Sequence, residues 1–371
     1  MPRRSNDTVI VTVVLLSPSI TRTPGGISRY AEDLLASTVL RKRQYHLTHV
    51  STHERGSPLH KLRVAIGAGT RLLGSSRRAG IAHALIGPDA SCIRKLALLT
   101  EARLCGLRTV AHFHGSTILE WLQSLPRGCR DFVIGAAGRC DAVITLGNRL
   151  GDYLRSHRIK SPMYAIPNGV YPAPPCRPTA SRVPMILCVG TLGARKGTPE
   201  LLRSFAQLSK RHADAKLVLM GDGEVDQAQR LACELGIASR VECTGWARTQ
   251  DVSETMERAR MLVLPSYHEG MALSVLEAMM RGLPVITTPV GEHKSVIEDG
   301  RDGLFVPPGD VSALRNAIDR VLVDCEFAEG LGQAARQKAL REFEISVNHQ
   351  RVVAVYDTLS GKASASRMHR S

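Results

Sequence analysis

The residues best suited to chemistry lie in the segment Ser266–Met280, which contains two glutamates eight positions apart. Glu269 precedes a helix predicted to begin near Leu273, and Glu277 lies one turn inside that helix. The start of the helix would present backbone N–H groups and a positive dipole end to a diphosphate. Its residues are Gly270, Met271, Ala272 and Leu273. We expect Glu269 to reach sugar hydroxyls and Glu277 to hold a ribose.

A second candidate is the glycine-rich loop Val189–Gly197, which follows a predicted strand and precedes a helix predicted from Thr198. Gly190 would allow the backbone to approach a phosphate group. Arg195 and Lys196 would supply positive charge to a diphosphate, where charge develops as it leaves a substrate. An exposed basic turn without a ligand is the alternative interpretation.

Together these segments resemble the family 4 glycosyltransferases, which carry an E-x7-E element and have the GT-B fold of two facing Rossmann-like domains. The spacing of the two glutamates, taken alone, favours a helix on which both are simply solvated. The motifs in the surrounding segments reverse this preference and favour the glycosyltransferase interpretation. The resemblance covers nearly the whole chain. It is strongest over Met185–Asp310 and weakest over Val50–Arg108, where such enzymes usually recognise acceptors.

The resemblance implies donor-binding roles for two further strand ends. Gly221 follows one predicted strand and would approach the diphosphate, and Trp246 follows the next and would border the base. Each is a weak signal alone, because a Gly-Asp-Gly or Gly-Trp sequence also marks ordinary turns. Packing against the protein interior is the alternative role for Trp246.

The resemblance also implies a contribution from the first half of the chain. Gly25 and Gly26 stand between the first predicted strand and a helix predicted over Ile27–Leu40, where glycines let a loop approach the donor. No G-x-G-x-x-G fingerprint accompanies them. His114 matches the family histidine that faces the transferred sugar, whereas His112 is expected to point into the sheet.

One position departs from the family pattern. Many members have an arginine directly after the first glycine of the phosphate loop, where this chain has Thr191. Arg195 is the candidate substitute, as in the members that carry an Arg-Lys pair. The sequence does not decide how Arg195 and Lys196 share the binding of the diphosphate.

The elements that must position these residues form an α/β pattern, in which short β-branched runs alternate with helical segments, as in parallel sheets covered by helices. The strands predicted in the first half are Thr8–Leu16, Tyr45–Ser51, Ile81–Ile86, Thr109–Phe113, Ala142–Leu146 and Met163–Ile166. Those in the second half are Met185–Val189, Lys216–Met220, Val241–Cys243, Met261–Leu264, Pro284–Thr287 and Gly303–Val306.

The proline-rich stretch Tyr171–Pro178 is predicted to link two domains, because its prolines cannot join the interior of either sheet. We expect an acceptor-side domain over residues 1–170 and a nucleotide-sugar domain over residues 171–345. Further helices are predicted over Asp310–Asp324 and Ala328–Phe343. The last helix, residues 346–360, is expected to pack back on the first domain. A ligand cleft between the carboxyl edges of the two sheets follows from this arrangement.

Charge is distributed unevenly over the 371 residues. Of 49 lysines and arginines, 24 lie in residues 1–170 against 10 acidic residues, and the remaining 25 face 24 acidic residues. The basic first half is expected to meet an anionic surface. No signal-peptide pattern and no apolar stretch long enough to span a bilayer is found, so we expect a cytoplasmic protein held peripherally at the inner face of the membrane.

The segment Leu59–Arg78 mixes apolar residues with five lysines and arginines. An amphipathic helix on an anionic lipid surface is one interpretation. A helix that packs on the core and exposes its basic residues to water is the other, and the sequence favours neither, since three glycines weaken the helix.

The resemblance implies a retaining glycosyltransferase that moves a sugar from UDP or GDP to an acceptor, for which we favour a polyprenyl-diphosphate-linked glycan in exopolysaccharide or envelope assembly. No cofactor is expected. No metal is expected either, since the sequence lacks an Asp-x-Asp motif. Two rivals are a UDP-sugar 2-epimerase of the same fold and a nucleic-acid-binding protein. The second is disfavoured because aromatic residues make up only 4% of the chain.

Overall fold

The chain folds into two α/β units in the computed structural model, which describes residues 10–362 apart from 24, 55, 77–78 and 116. One unit is built from the chain up to Asn168 together with the chain from Ser346 onward. The other is formed by Gly169–Ile345. The predicted residues Thr8, Pro24, Arg77 and Arg78 lie outside the described part.

The first unit contains a parallel six-stranded sheet in the order β2-β1-β3-β4-β5-β6. Its strands are β1 (Val11–Pro18), β2 (Tyr45–His53), β3 (Ala79–Ile86), β4 (Arg108–Phe113), β5 (Ala142–Thr145) and β6 (Met163–Ala165). The residues at the centre of β1, Val13–Leu16, are fully buried. Strands covered on both faces need such unbroken apolar runs, and this is why the sequence predicts them well.

Helices cover both faces of this sheet. They are α1 (Gly26–Ala36), α2 (Thr38–Lys42), α3 (Pro58–Ser76), α4 (Ala90–Leu104), α5 (Ile118–Ser124), α6 (Arg127–Ala137) and α7 (Asn148–Ser156). The predicted helix start at Gly26 is confirmed, but a single helix over Ile27–Leu40 is wrong. Ser37 interrupts it, because its hydroxyl accepts a hydrogen bond from the Leu40 N–H at 3.2 Å and thereby starts a new helix.

The second unit contains another parallel six-stranded sheet, in the order β12-β11-β10-β7-β8-β9. Its strands are β7 (Met185–Val189), β8 (Lys216–Met220), β9 (Val241–Gly245), β10 (Met261–Leu264), β11 (Val285–Thr287) and β12 (Leu304–Phe305). The predicted bounds of β7, β8 and β10 agree with the structure. The strand order reverses between β7 and β10, and open α/β sheets bind ligands beyond the carboxyl ends of the strands at such a point.

The helices of the second unit alternate with its strands. They are α8 (Thr198–Leu208), α9 (Val225–Glu234), α10 (Thr249–Arg258), α11 (Leu273–Arg281), α12 (His293–Val296), α13 (Val311–Val323) and α14 (Cys325–Glu342). The helix starts predicted at Thr198 and Leu273 are confirmed. Residues 171–178 have no regular secondary structure and lie along this unit, with the Cys176 N–H donating to the Arg281 carbonyl at 2.7 Å.

The last described helix, α15 (Ile345–Leu359), packs in the first unit. Val352 and Tyr356 join a buried cluster with Val13, Leu15 and Tyr45. The Tyr45 hydroxyl donates to Asp357 at 2.7 Å and fixes the end of the helix. None of the described helices combines the length and apolar character that a bilayer span requires.

Candidate functional site

The candidate site of the second unit lies where β7 and β10 end, at the reversal of strand order. The loop Gly190–Gly197 follows β7, and the segment Pro265–Ala272 follows β10. The two segments are in direct contact, since the Tyr267 N–H donates to the Arg195 carbonyl at 2.9 Å. The sequence therefore brings two of its predicted motifs to one edge of the sheet.

Lys196 and Glu269 form an ion pair at this edge. The Lys196 Nζ donates to the Glu269 Oε1, and the two side chains are only 12% and 6% exposed. Lys196 closes a short 3₁₀ turn, Ala194–Lys196, and this turn directs its side chain back toward Gly190. These two nearly buried side chains form a polar group at the carboxyl edge of the second sheet.

Two buried hydroxyl side chains hold Glu269 in place, Ser266 directly and Thr288 through the Ser266 backbone. The Ser266 Oγ donates to the Glu269 Oε1 at 2.7 Å, and the Thr288 Oγ1 donates to the Ser266 carbonyl at 2.6 Å. Both residues are fully buried. Neither hydroxyl is a predicted site residue, although Ser266 opens the motif and Thr288 directly follows β11.

Arg195 occupies a different position from Lys196. Its side chain is exposed, and its Nη1 donates to the His268 carbonyl at 3.1 Å. Lys196 therefore faces Glu269, and Arg195 lies on the outside of the same loop. Thr191, within the loop, is also exposed.

Close backbone packing at the carboxyl ends of β7 and β8 explains why glycines occupy positions 190 and 221. Gly190 has a φ of 147° and its N–H donates to the Met220 carbonyl at 2.9 Å. Gly221 has a φ of 155°, and a Cβ there would lie 2.0 Å from the Gly190 carbonyl oxygen. The ends of β7 and β8 can approach this closely only because Gly221 has no side chain.

The start of α11 is held against the loop that follows β11. The Glu292 N–H donates to the Gly270 carbonyl at 2.8 Å. Met271 and Ala272 are buried, and no side chain caps the helix, which begins at Leu273. The first turn therefore keeps backbone N–H groups that can donate hydrogen bonds to an anion. Glu277 follows one turn later and is half-buried.

Trp246 lies beyond β9 and is 69% exposed. This exposure excludes the alternative in which it packs in the protein interior. It lines a cavity of about 350 Å³ together with Thr244 and Met220.

A buried histidine adds to the polar groups beneath the site. The His293 Nδ1 lies 3.1 Å from both the Thr287 Oγ1 and the Thr288 carbonyl, and burial lowers the pKa of the imidazole. Its Nε2 has no hydrogen-bond partner among the described residues. No sequence motif marks His293.

The first unit places its candidate residues at the carboxyl ends of β1 and β4. Gly25 and Gly26 are exposed at the start of α1, and no atom lies within 4 Å of a Cβ built at either position. His114 follows β4 and is 4% exposed, with a ring centroid 4.6 Å from that of Tyr30 on α1. These residues form one local group within this unit.

His114 is a neutral histidine. Burial lowers its pKa to about 3, with further lowering by His83 and Lys95, and its Nε2 has no partner in the described part of the chain. The expectation that His112 points into the sheet is confirmed, because its Nδ1 lies 3.2 Å from the Nε2 of His83 on the neighbouring strand.

The second half of the chain is similar to a known protein family. Residues 177–338 match the glycosyl transferases group 1 family. A curated relative is the GDP-mannose-dependent alpha-(1-6)-phosphatidylinositol monomannoside mannosyltransferase of Mycolicibacterium smegmatis, 29% identical over 190 residues, or 49% of each chain. The chain spans about half the length of the curated relatives it matches.

Solved structures match over nearly the whole chain. Sucrose-phosphate synthase from Thermosynechococcus elongatus has a TM-score of 0.79 at 21% identity, covering 95% of this chain and all of that one. HepE from Anabaena, solved with UDP and glucose, has a TM-score of 0.72 at 17% identity, covering 93% of this chain and 99% of HepE. The fold is GT-B, and residues 177–338 are the part of the chain that is similar to the glycosyl transferases group 1 family.

Proposed function

We propose that the protein transfers a sugar from a nucleoside diphosphate to an acceptor with retention of anomeric configuration. The observation that carries this proposal is the pairing of Lys196 with Glu269 at the strand-order reversal of the second unit, which contains the part similar to the group 1 family. This pair places a cation and a carboxylate next to the uncapped start of α11.

Each side chain has a distinct role in the proposed reaction. The α11 N–H groups and Lys196 bind the diphosphate and stabilise the charge that develops when it leaves the sugar. Arg195 joins them from the outer side of the loop. Glu269, aligned by Ser266, accepts hydrogen bonds from the sugar hydroxyls, and Glu277 holds the ribose hydroxyls one helical turn away.

The nucleotide base is proposed to lie toward Trp246, whose exposed indole offers a stacking surface. The donor is a UDP- or GDP-sugar. HepE was solved with UDP and glucose, and the mycobacterial relative is named for GDP-mannose, so both bases are candidates for this chain.

His114, with Gly25 and Gly26, contributes to sugar and acceptor binding from the first unit. Since its pKa lies near 3, the ring stays neutral at physiological pH and its Nε2 can exchange a hydrogen bond with a hydroxyl. A leaving-group oxygen takes the acceptor's proton on the face that it vacates, so retention needs no protein base. Cationic side chains serve in place of a metal, and no cofactor takes part.

The acceptor is proposed to be a lipid-linked glycan, held by a peripheral protein at the inner membrane face. The first half of the chain carries 24 basic residues against 10 acidic ones. Helix α3 exposes Arg63, Arg71 and the apolar side chain of Ile66, which is 61% exposed. This combination suits an anionic lipid surface.

The experiment is to incubate purified protein with UDP- and GDP-sugars, with and without membrane lipid extract, and to measure nucleoside diphosphate release. Release that depends on the lipid extract supports a lipid acceptor. Lipid-independent release points instead to a water-soluble acceptor or to hydrolysis. Conversion of the nucleotide sugar to its C2 epimer, without an acceptor, would identify an epimerase instead.

A further inference from the structure

The second unit contains another cavity, at the end of its sheet opposite the donor loop. This rear pocket has a volume of about 850 Å³ and includes Pro174, Arg177, Arg182, Val183, Lys216 and Arg258 in its wall. Met185 and Lys216, at its base, are the first residues of β7 and β8. Pockets of about 300–1,000 Å³ are typical of small-molecule sites.

The rear pocket is separated from the proposed donor site by the length of β7. Five strand residues span about 16 Å. Gly190 stands at one end of β7 and Met185 at the other, so a molecule in the rear pocket does not reach the donor loop. The rear pocket adjoins the cavity beside Trp246, because Met185 and Arg258 line both, but it lies away from the loop that is proposed to bind the diphosphate.

The unusual feature of the pocket is Arg182, a buried cation that forms no ion pair among the described residues. Its side chain is 6% exposed, its Nε donates to the Arg177 carbonyl at 2.6 Å, and its Nη1 has no hydrogen-bond partner among the described residues. Burial lowers its pKa; Glu329 acts in the opposite direction, and Arg260 lowers the pKa further. Buried charges are ordinarily paired.

Arg260 adds a second buried cation behind Arg182. Its Nη2 donates to the Arg182 carbonyl at 2.8 Å and its Nη1 lies 3.2 Å from the Cys325 Sγ. Neither arginine takes part in an ion pair among the described residues. The charge of Glu329 acts on Arg182 from beyond ion-pair distance, so an anion in the pocket would supply the close partner that both arginines lack.

The wall of the pocket supplies further cations and an apolar surface. Arg177, Lys216 and Arg258 are exposed at its rim, and they outnumber the two acidic residues, Asp214 and Glu257. Pro174, Pro175, Val183, Pro184 and Met185 provide the apolar part. Such a lining suits a ligand that has both an anionic group and an apolar body.

We propose that the rear pocket binds a small organic anion, with its phosphate or carboxylate group held by Arg182 and the rim cations and its apolar body against the proline wall. Arginine binds such groups through its planar fork of N–H donors. The site lies at the opposite end of β7 from the diphosphate loop and borders the Trp246 cavity through Met185 and Arg258.

Phenyl phosphate is the probe, and isothermal titration calorimetry measures its binding. We expect the Arg177→Ser, Lys216→Ser double variant, which changes two rim cations that do not line the Trp246 cavity, to bind at least tenfold more weakly than the original protein. The matched control, Lys210→Ser with Arg230→Ser, removes two exposed cations of the same unit outside the pocket and should bind as the original does. Phenol and inorganic phosphate should each bind more weakly than phenyl phosphate.

Lys196→Ala distinguishes binding in the rear pocket from binding at the donor loop, because Lys196 belongs to the donor loop and does not line the rear pocket. Retained binding in Lys196→Ala supports the proposal, and loss there with retention in the rim variant would overturn it. Absence of binding at millimolar concentrations, or equal binding by all variants, would also overturn it. A crystal soaked in 4-bromophenyl phosphate should show the bromine anomalous signal beside Val183 and Pro184; a signal only beside Gly190 contradicts the proposal.

Discussion

Lys196 and Glu269 come from loops 73 residues apart and pair at the end of the second sheet, with both side chains almost fully buried. The Ser266 hydroxyl donates to the Glu269 carboxylate, and the Thr288 hydroxyl donates to the Ser266 carbonyl. The pair therefore presents a fixed cation and a fixed acceptor to whatever binds beside α11. Fixed polar groups of this kind stabilise charge at little cost of reorganisation in a reaction.

Lys196→Met should reduce sugar transfer by about 10²–10³-fold, the size of effect seen when one charge-stabilising donor is removed. It should also destabilise the second unit by roughly 3 kcal/mol, because Glu269 is left as an unpaired buried charge. Steady-state rates and urea unfolding measure the two effects. Lys210→Met, an exposed control, should change neither, and full activity in Lys196→Met would contradict the proposed role.

Glu277→Gln should raise the KM for the nucleotide sugar about tenfold, since a charged hydrogen bond to the ribose contributes roughly 1.5–3 kcal/mol. The fold should be unaffected, because the side chain is half-buried at the surface of α11. Kinetics with varied donor test this. Glu234→Gln, exposed on α9, serves as the control. An unchanged KM would remove Glu277 from the donor site.

Gly221→Ala should disrupt the ends of β7 and β8 together. Its φ of 155° strains an alanine, and the added Cβ would collide with the Gly190 carbonyl. Gly236→Ala has a φ of 69° but open space around the Cβ, so it isolates the conformational cost, about 1 kcal/mol. We expect Gly221→Ala to lower the melting temperature several degrees more than Gly236→Ala, measured by differential scanning calorimetry. Equal shifts would show that the close approach does not matter.

The stability of the first unit should fall as the pH drops below about 6.5, partly through His349. Burial lowers the pKa of His349 to about 4, while the unfolded chain takes up a proton near pH 6.5. The neutral folded state is thus favoured above pH 6.5, and this contribution is lost on acidification, on the order of 2 kcal/mol at pH 5.

Unfolding by urea at pH 8 and pH 5 checks this prediction. His349→Gln keeps a partner for the Ser37 hydroxyl, which lies 2.8 Å from the His349 Nδ1, and should lose less stability between the two pH values than the original protein. His46→Gln alters an exposed histidine and should leave the pH dependence unchanged. Identical pH dependence in all three proteins would rule out the His349 contribution.

The alternation of strands and helices was predictable because buried parallel strands require continuous apolar runs. The bounds of β7, β8 and β10 and the helix starts at Thr198 and Leu273 follow from that pattern and from the glycines before them. The break at Ser37 was not predictable from apolar spacing, since it depends on a side chain that caps a new helix.

The site was predictable only in part. The two motifs pointed to the β7 and β10 ends, but the 3₁₀ turn that directs Lys196 inward and leaves Arg195 outside has no signal in the residue types. The support of Glu269 by Ser266 and Thr288 depends on a contact across 22 residues between separate strand ends. The roles assigned to His114, Glu277 and Trp246 stay predictions.

Retaining transfer from a nucleotide sugar is tested most directly by proton NMR of the reaction with the donor that supports nucleoside diphosphate release. We predict that the sugar appears on the acceptor with the same anomeric configuration as in the donor. We also predict that Lys196→Met forms this product about 10²–10³-fold more slowly. A product of inverted configuration, or a nucleotide sugar epimerised at C2 with no acceptor consumed, would contradict retaining transfer.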